Sequence, residues 1–405
     1  MNKFKKNTGV FLCLCVSISI SNAAYSKSKH TMWLDAQINK DPEVIEAREL
    51  LNASSQQAKS LTQAIYNPEF EASYEKEGDF SNYSISLSQT IDIWDKQSLN
   101  QDIGEVAFYT NQQKLLNVLE SKKANTLIAL INWQTAKETA LLLTERENQL
   151  QTLVTIAEQK QKAGLLEPLD AELIYLSLSQ VFNEIAEYQI ALKSTEIKVQ
   201  ELLPDWTPEL TNSSLLFLGQ TTYSFRKEWV EQHPKVKVAK SLWQEQQAKA
   251  KLSTIDAKTN PTIGLNAGES NNENTIGLTV SIPLNIRNNY SDSIKAAYSE
   301  ATAAEANFQS IYRKQVFKAK SNFESFKISK KYYEQWQKLI EGRLAKSAEL
   351  LDKRWEAGDI NTADYLVALN QRAEGLLAGI RLENKFKLAE ISFISSMGQL
   401  SKFEI

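Results

Sequence analysis

Proline is distributed in this chain so that two long stretches are free of it. None of the 8 prolines lies between Pro68 and Pro168, and none follows Pro283. Stretches of about a hundred residues without the strongest helix breaker permit helices of unusual length. Glycine is also scarce: 13 residues in 405, roughly half its usual share. Turns consume glycine and proline, so the chain turns rarely. That argues against an α/β enzyme with a turn every ten to fifteen residues, and against a β-sandwich. An apolar content of 42% excludes collagen-like and disordered chains.

The N-terminus reads as an export signal over 1–23. Lys3, Lys5 and Lys6 form a basic region, Val10 to Ile20 an apolar one, and Ser21-Asn22-Ala23 a small-x-small cleavage site. The 2 cysteines, Cys13 and Cys15, lie inside it. Leu12 and Leu14 precede them where a lipidation signal needs a small residue. The exported chain therefore has no thiol, disulfide or cysteine metal site. Losing three lysines moves the formal charge from −3 to −6, which does not favour nucleic acid as a partner. No later stretch approaches 18 apolar residues, so no transmembrane helix is expected.

The chain can be laid over itself at an offset near 193 residues. Asp41-Pro42-Glu43-Val44 meets His233-Pro234-Lys235-Val236, and Asn67-Pro68 meets Asn260-Pro261. Lys162-Ala163-Gly164 meets Glu356-Ala357-Gly358, and Asp170 meets Asp364. This period is far too long for a solenoid, so it marks a duplicated half. The halves are 24–203 and 233–405, with a connection over 204–232. Each opens with a helix starting at proline, of about 25 residues. The helix is expected to end at the Asn-Pro pair, because a residue before proline leaves helical space. A hairpin follows, about 68–93 and 261–285. Next comes a helix of nearly 70 residues, about 95–161 and 289–356, then a Gly-centred turn, about 162–167 and 356–361. A return helix of roughly 36 residues runs to about Leu203 or Met397.

At 1.5 Å per residue the long helix is ~100 Å, the return helix ~54 Å and the opening helix ~37 Å. A return helix and the next opening helix are thus expected to stack end to end beside one long helix, as in a cylinder wall. Leu116, Leu119, Leu127, Leu130, Ile131 and Leu141 recur at helical spacing. Taken alone, that pattern fits a plain coiled coil.

The hairpins alternate with period two. Phe70, Ala72 and Tyr74 oppose Glu69, Glu71, Ser73 and Glu75; Tyr83, Ile85, Leu87 and Ile91 oppose Ser84, Ser86, Ser88 and Thr90. Ile263, Leu265 and Ala267 alternate with Thr262, Gly264 and Asn266; Ile276, Leu278, Val280 and Ile282 alternate with Gly277, Thr279 and Ser281. Loops over Glu77 to Asn82 and Gly268 to Asn274 join them. A soluble hairpin packing its apolar face on a helix is one reading. Outer-membrane strands are the other, favoured by the export signal. Four strands cannot close a barrel, because the smallest have about eight. Membrane strands would require oligomers, with two chains giving eight strands and three giving twelve.

Catalytic chemistry has little material. With 2 histidines, His30 and His233, neither a Ser-His-Asp triad nor a histidine zinc site can be assembled. No Gly-rich phosphate loop occurs, and no cofactor or enzyme activity is expected.

Beyond residue 23 the chain resembles the TolC-type outer-membrane efflux protein family, especially its metal- and drug-efflux branch. The residues carrying the likeness are the Asp-Pro and Asn-Pro helix ends, Ser281-Ile282-Pro283-Leu284, and the two turns. Arg354-Trp355-Glu356-Ala357-Gly358-Asp359-Ile360 looks like the family's basic-aromatic-x-x-Gly turn, followed by Asp364-Tyr365-Leu366. The resemblance implies a mainly α chain with a small β part. As a homotrimer it would form a twelve-stranded transmembrane β-barrel continued by an α-helical periplasmic tunnel. The location implied is the outer membrane of a Gram-negative bacterium, with membrane lipid around the barrel. The duct would conduct passively, served by a periplasmic adaptor (membrane fusion protein) and an inner-membrane pump. It also implies adaptor docking at the tip: Lys162, Ala163, Gly164 and Leu165, with Glu356, Ala357, Gly358, Asp359 and Ile360. Asp170 and Asp364 match the acidic residues that ring the family's aperture, where like charges favour cations. The plainer role for each aspartate is a carboxylate favouring its helix dipole. The first turn departs from the pattern, having no basic-aromatic pair before it. A soluble periplasmic coiled-coil adaptor or scaffold is the alternative function.

Overall fold

A computed structural model describes residues 29–210, 223–270, 273–340 and 343–402. The expected export signal over 1–23 and part of the connection, 211–222, lie outside these residues. The chain is mainly helical with one small sheet. In chain order the elements are α1 (Lys29–Ile38), α2 (Pro42–Ser60), β1 (Glu69–Glu77), β2 (Phe80–Thr90), α3 (Lys96–Lys162) and α4 (Pro168–Leu202). They continue with α5 (Lys227–Glu231), α6 (Pro234–Asp256), β3 (Thr262–Ser270), β4 (Glu273–Ser281), α7 (Ser291–Ile340), α8 (Arg343–Glu356) and α9 (Thr362–Ser396). Single turns of 3₁₀ helix lie at Pro208–Leu210 and Leu400–Lys402.

α3 is one helix of 67 residues. The second long segment is described as α7 and α8, on either side of 341–342. Helix starts follow the capping chemistry. Asp41 accepts the Glu43 amide at 2.8 Å, with Pro42 in the first turn. His233 does the same with its ring, Nδ1 accepting the Lys235 amide at 3.1 Å. α2 is 19 residues rather than about 25, ending at Ser60 and not at the pre-proline Asn67. The hydroxyls of Ser60 and Thr62 bond back to the carbonyls of Gln57 and Lys59, closing the helix early.

α3 is the spine. On one side α4 and then α2 lie along it; on the other, α9 and then α6, with α7 beyond. The end-to-end pairs differ from the expectation. Each return helix meets the opening helix of its own half and not the next one. α4 ends where α2 begins, with Lys40 2.9 Å from Asp205. α9 ends against α6, the His233 ring meeting the Ser395 carbonyl at 3.2 Å. The main core sits at these joins: Leu127, Leu130, Ile131 and Trp133 of α3 pack with Val199, Leu203, Trp206, Val236, Phe326, Phe393 and Ile394. Of the leucines read as one stripe, Leu116 and Leu141 are exposed instead.

The strands form one antiparallel sheet in the order β1-β2-β3-β4. Pairing runs out to Glu77↔Phe80 and Ser270↔Glu273, so the connecting loops are shorter than expected. Antiparallel backbone hydrogen bonds form as well between polar residues as between apolar ones, and polarity alone does not end a strand.

Candidate functional site

Two regions carry the candidate function, the sheet and the turn end of the helices. Register places Phe70, Leu87, Leu265 and Leu278 in one row across the sheet, and Ala72, Ile85, Ala267 and Ile276 in the next. Among the described residues nothing covers this face: Phe70, Leu265, Ile276 and Leu278 are 61–88% exposed. The opposite face carries the rows Glu69-Ser88-Gly264-Thr279 and Glu71-Ser86-Asn266-Gly277. An apolar face left open in this way, backed by a polar one, is the pattern of a strand between lipid and water. β1 and β4 are edges, and alternation around four strands leaves them antiparallel to each other. The edges of separate copies can therefore join without a change of pattern.

At the other end both turns are built alike. Gly164 and Gly358 have φ of +70° and +80°, with open space where a Cβ would stand. The backbone alone requires glycine there. The Leu165 amide bonds the Lys160 carbonyl at 2.8 Å and the Asp359 amide bonds that of Arg354 at 2.9 Å, the Schellman closure in both turns. Lys162 and Glu356 are the last helical residues rather than turn residues.

The structure brings the two turns together through a small second core of Leu150, Leu153, Ala157, Ile174, Trp355, Tyr365 and Leu366. Leu166 and Ile360 close it, one from each turn. Trp355 is buried, its ring stacked on Tyr365 at 5.1 Å. The Lys160 ammonium stands over that indole at 4.5 Å from the centroid, so the first hairpin supplies a cation to the aromatic residue of the second. Burial, with the Asp352 carboxylate 2.6 Å away, raises the Tyr365 phenol above its ordinary value.

Lys162, Ala163, Gly164 and Leu165 are exposed, as are Glu356, Ala357, Gly358 and Asp359; Ile360 is half-buried. Leu165 at 76% exposure and Leu169 at 67% project apolar surface at this end. Asp170 is half-buried in the first turn of α4. Asp364 is exposed and belongs to a reciprocal cap: its amide donates to Asn361 Oδ1 at 2.7 Å, and Asn361 Nδ2 donates to its carboxylate at 2.9 Å. The dipole role is thus occupied at Asp364.

One linkage was not legible in the sequence. Arg146 of α3 reaches Glu184 of α4 at 2.7 Å and Asn370 of α9 at 2.6 Å, tying three helices above the turns. Among many charged helix positions, only contact across helices singles out Arg146.

No protein-family profile and no curated protein matches the chain. Solved structures do. The outer-membrane channel OprN has a TM-score of 0.77 at 12% identity, over 91% of this chain and 90% of that one. The CmeC outer membrane channel of Campylobacter jejuni scores 0.74 at 13% identity, over 92% and 86%. The open state of the MtrE outer membrane channel of Neisseria gonorrhoeae scores 0.74 at 12%, over 92% and 89%. Nearly the whole chain therefore has the fold of TolC-type outer-membrane efflux channels.

Proposed function

We propose that the chain is the outer-membrane exit duct of a tripartite efflux system. The observation that carries this reading is the sheet, whose apolar face is open and whose edge strands β1 and β4 have no further partner strand among the described residues. Three copies would close twelve strands into a barrel, since an even number of antiparallel strands needs no parallel joint. The apolar rows would face lipid and the Glu, Ser, Thr and Gly rows the lumen. The two repeat halves, 24–203 and 233–405, belong to this reading, each giving the wall one hairpin and one helical pair. The leader over 1–23 would deliver the chain, and the connection over 204–232 would lie at mid-height.

Solutes or ions would pass without an energy source in this chain. An inner-membrane pump would drive them, joined through a periplasmic adaptor at the Gly164 and Gly358 turns. Asp170 and Asp364 are the proposed aperture carboxylates. The fold neighbours are channels, which supports a non-enzymatic role. A soluble adaptor would have to cover the apolar sheet face, and among the described residues nothing covers it. The deciding experiment is membrane fractionation followed by planar-bilayer recording. Extraction only by detergent, with unitary conductance, is the expected result. Extraction by salt alone and silent bilayers would sink the duct and restore the adaptor.

A further inference from the structure

α9 buries a carboxyl group that the proposed duct does not use. Glu390 is 1% exposed, and its Oε2 atom has no hydrogen-bond partner among the described residues. Tyr223 supplies its hydrogen bond. The walls are aromatic: Tyr223 lies 5.4 Å from Phe326 and 6.0 Å from Phe393, and Phe326 lies 5.9 Å from Phe386. Residues 223–226, in neither helix nor strand, form a strap that leads into α5, and Phe225 packs on the same core. Beyond α5's Glu231, which accepts from Tyr312 of α7 at 2.9 Å, the chain reaches His233 at the end of α9. The strap thus spans the α7–α9 seam, with Tyr223 on Glu390.

Among the described residues, the charged groups around the site are committed elsewhere or distant. On α7, Lys330 attracts Glu390, but its ammonium lies 5.9 Å over Phe326 and 4.0 Å from Glu334. Lys327 pairs with Glu324 at 2.8 Å, and Lys320 lies over Phe225 at 5.9 Å. Tyr333 of α7 stacks on Phe386. On α9 itself Lys387 pairs with Glu383 at 2.7 Å. On α3, Glu120 accepts the Leu400 and Ser401 amides, and Lys123 lies 4.0 Å from Asp35.

A carboxylate left with one donor among aromatic rings is costly; the neutral acid is not. We propose that Glu390 is a proton-operated clasp for the strap: the protonated acid keeps Tyr223 and Phe225 seated across the α7–α9 seam, and deprotonation loosens them. Burial pushes the carboxyl up to about 7, against the pull of Tyr223 and Lys330. The seated state therefore holds its proton more tightly than the released one, in which the carboxyl is solvated. Seating is strongest below the ordinary carboxyl range, weakens as pH rises through about 7, and is flat above. The span from 4.5 to about 7 corresponds to roughly 300-fold in the seating equilibrium. The clasp rests on the fold alone and does not depend on transport.

The test is amide hydrogen exchange in the strap and α5 of the purified full-length protein in detergent, corrected for intrinsic exchange. Protection should fall at least tenfold between about pH 5 and pH 8, and Glu390→Gln should abolish that fall. Equal pH dependence in Glu390→Gln, or none in the wild type, overturns the clasp. Tyr223→Phe provides a second route if Glu390→Gln fails to fold. Infrared difference spectra of the buried acid carbonyl should show its titration midpoint moved upward, because the variant loses the donor to the carboxylate. An unchanged midpoint overturns the assignment.

Discussion

His233 and Glu390 should make stability depend on pH in opposite directions, and nearly cancel. The His233 ring is 7% exposed. Its Nδ1 accepts the Lys235 amide, which leaves Nε2 as the donor to the Ser395 carbonyl. A second proton would point an N–H at an N–H. Burial, with Lys318 and Lys235 near, lowers this histidine from 6.5 to about 4. The unfolded chain then binds the proton more readily, so the stabilisation is present above pH 6.5 and is lost as pH falls to about 4. Glu390 is raised from 4.5 to about 7, so its contribution is present below 4.5 and is lost as pH rises to about 7. Each span of about 2.5 units is worth about 3 kcal/mol, at about 1.4 kcal/mol per unit. Between about pH 4.5 and 6.5 the folded state gains one proton at Glu390 and forgoes one at His233, so this pair gives no net slope. Urea unfolding of the wild type and both single variants over that range tests the account. Relative to wild type, His233→Asn keeps an amide-capping oxygen but does not titrate, and should lose stability with rising pH. Glu390→Gln should lose it with falling pH. Slopes unchanged in both variants would refute the cancellation.

Four further outcomes are expected. A methyl at Gly379 of α9 would overlap the Trp336 ring, whose indole N–H donates to the Gly375 carbonyl at 3.1 Å. Gly379→Ala should therefore destabilise by about 1–3 kcal/mol in chemical unfolding, and Trp336→Leu in the same chain should recover most of it. Gly358→Ala meets no atom and costs only its positive φ, about 1 kcal/mol. Adaptor capture in pull-downs should survive that change. Asp170→Asn with Asp364→Asn should reduce cation selectivity in bilayer reversal potentials; unchanged selectivity would remove both from the aperture. Arg146→Leu should destabilise by about 1–3 kcal/mol in chemical unfolding, since Glu184 and Asn370 lose the charged side chain that joins them.

What was legible in the sequence were features set within a few residues of the chain. Pro42 and Pro234 begin helices because the first turn needs no amide from them. Gly164 and Gly358 end helices because only glycine enters the left-handed region freely. The strand rows follow from period two. Apart from the early end of α2, which Ser60 and Thr62 close locally, what failed depended on surroundings. Trp355 reads as half of a basic-aromatic motif, yet its cation is Lys160, from the other hairpin. Leu116 and Leu141 fit the apolar period but are exposed, because spacing states only that residues share a face.

The sequence by itself determined the kinds of element and their order: long helices where proline is absent, strands where polarity alternates, and turns at the paired glycines. These follow from backbone sterics and local hydrogen bonds. Only the tertiary structure decided which elements lie side by side. It stacked α4 on α2 and α9 on α6, joined Arg146 to Glu184 and Asn370, and buried Glu390 against Tyr223. Such pairings depend on side chains distant along the chain filling one shared space, and no local rule carries that information.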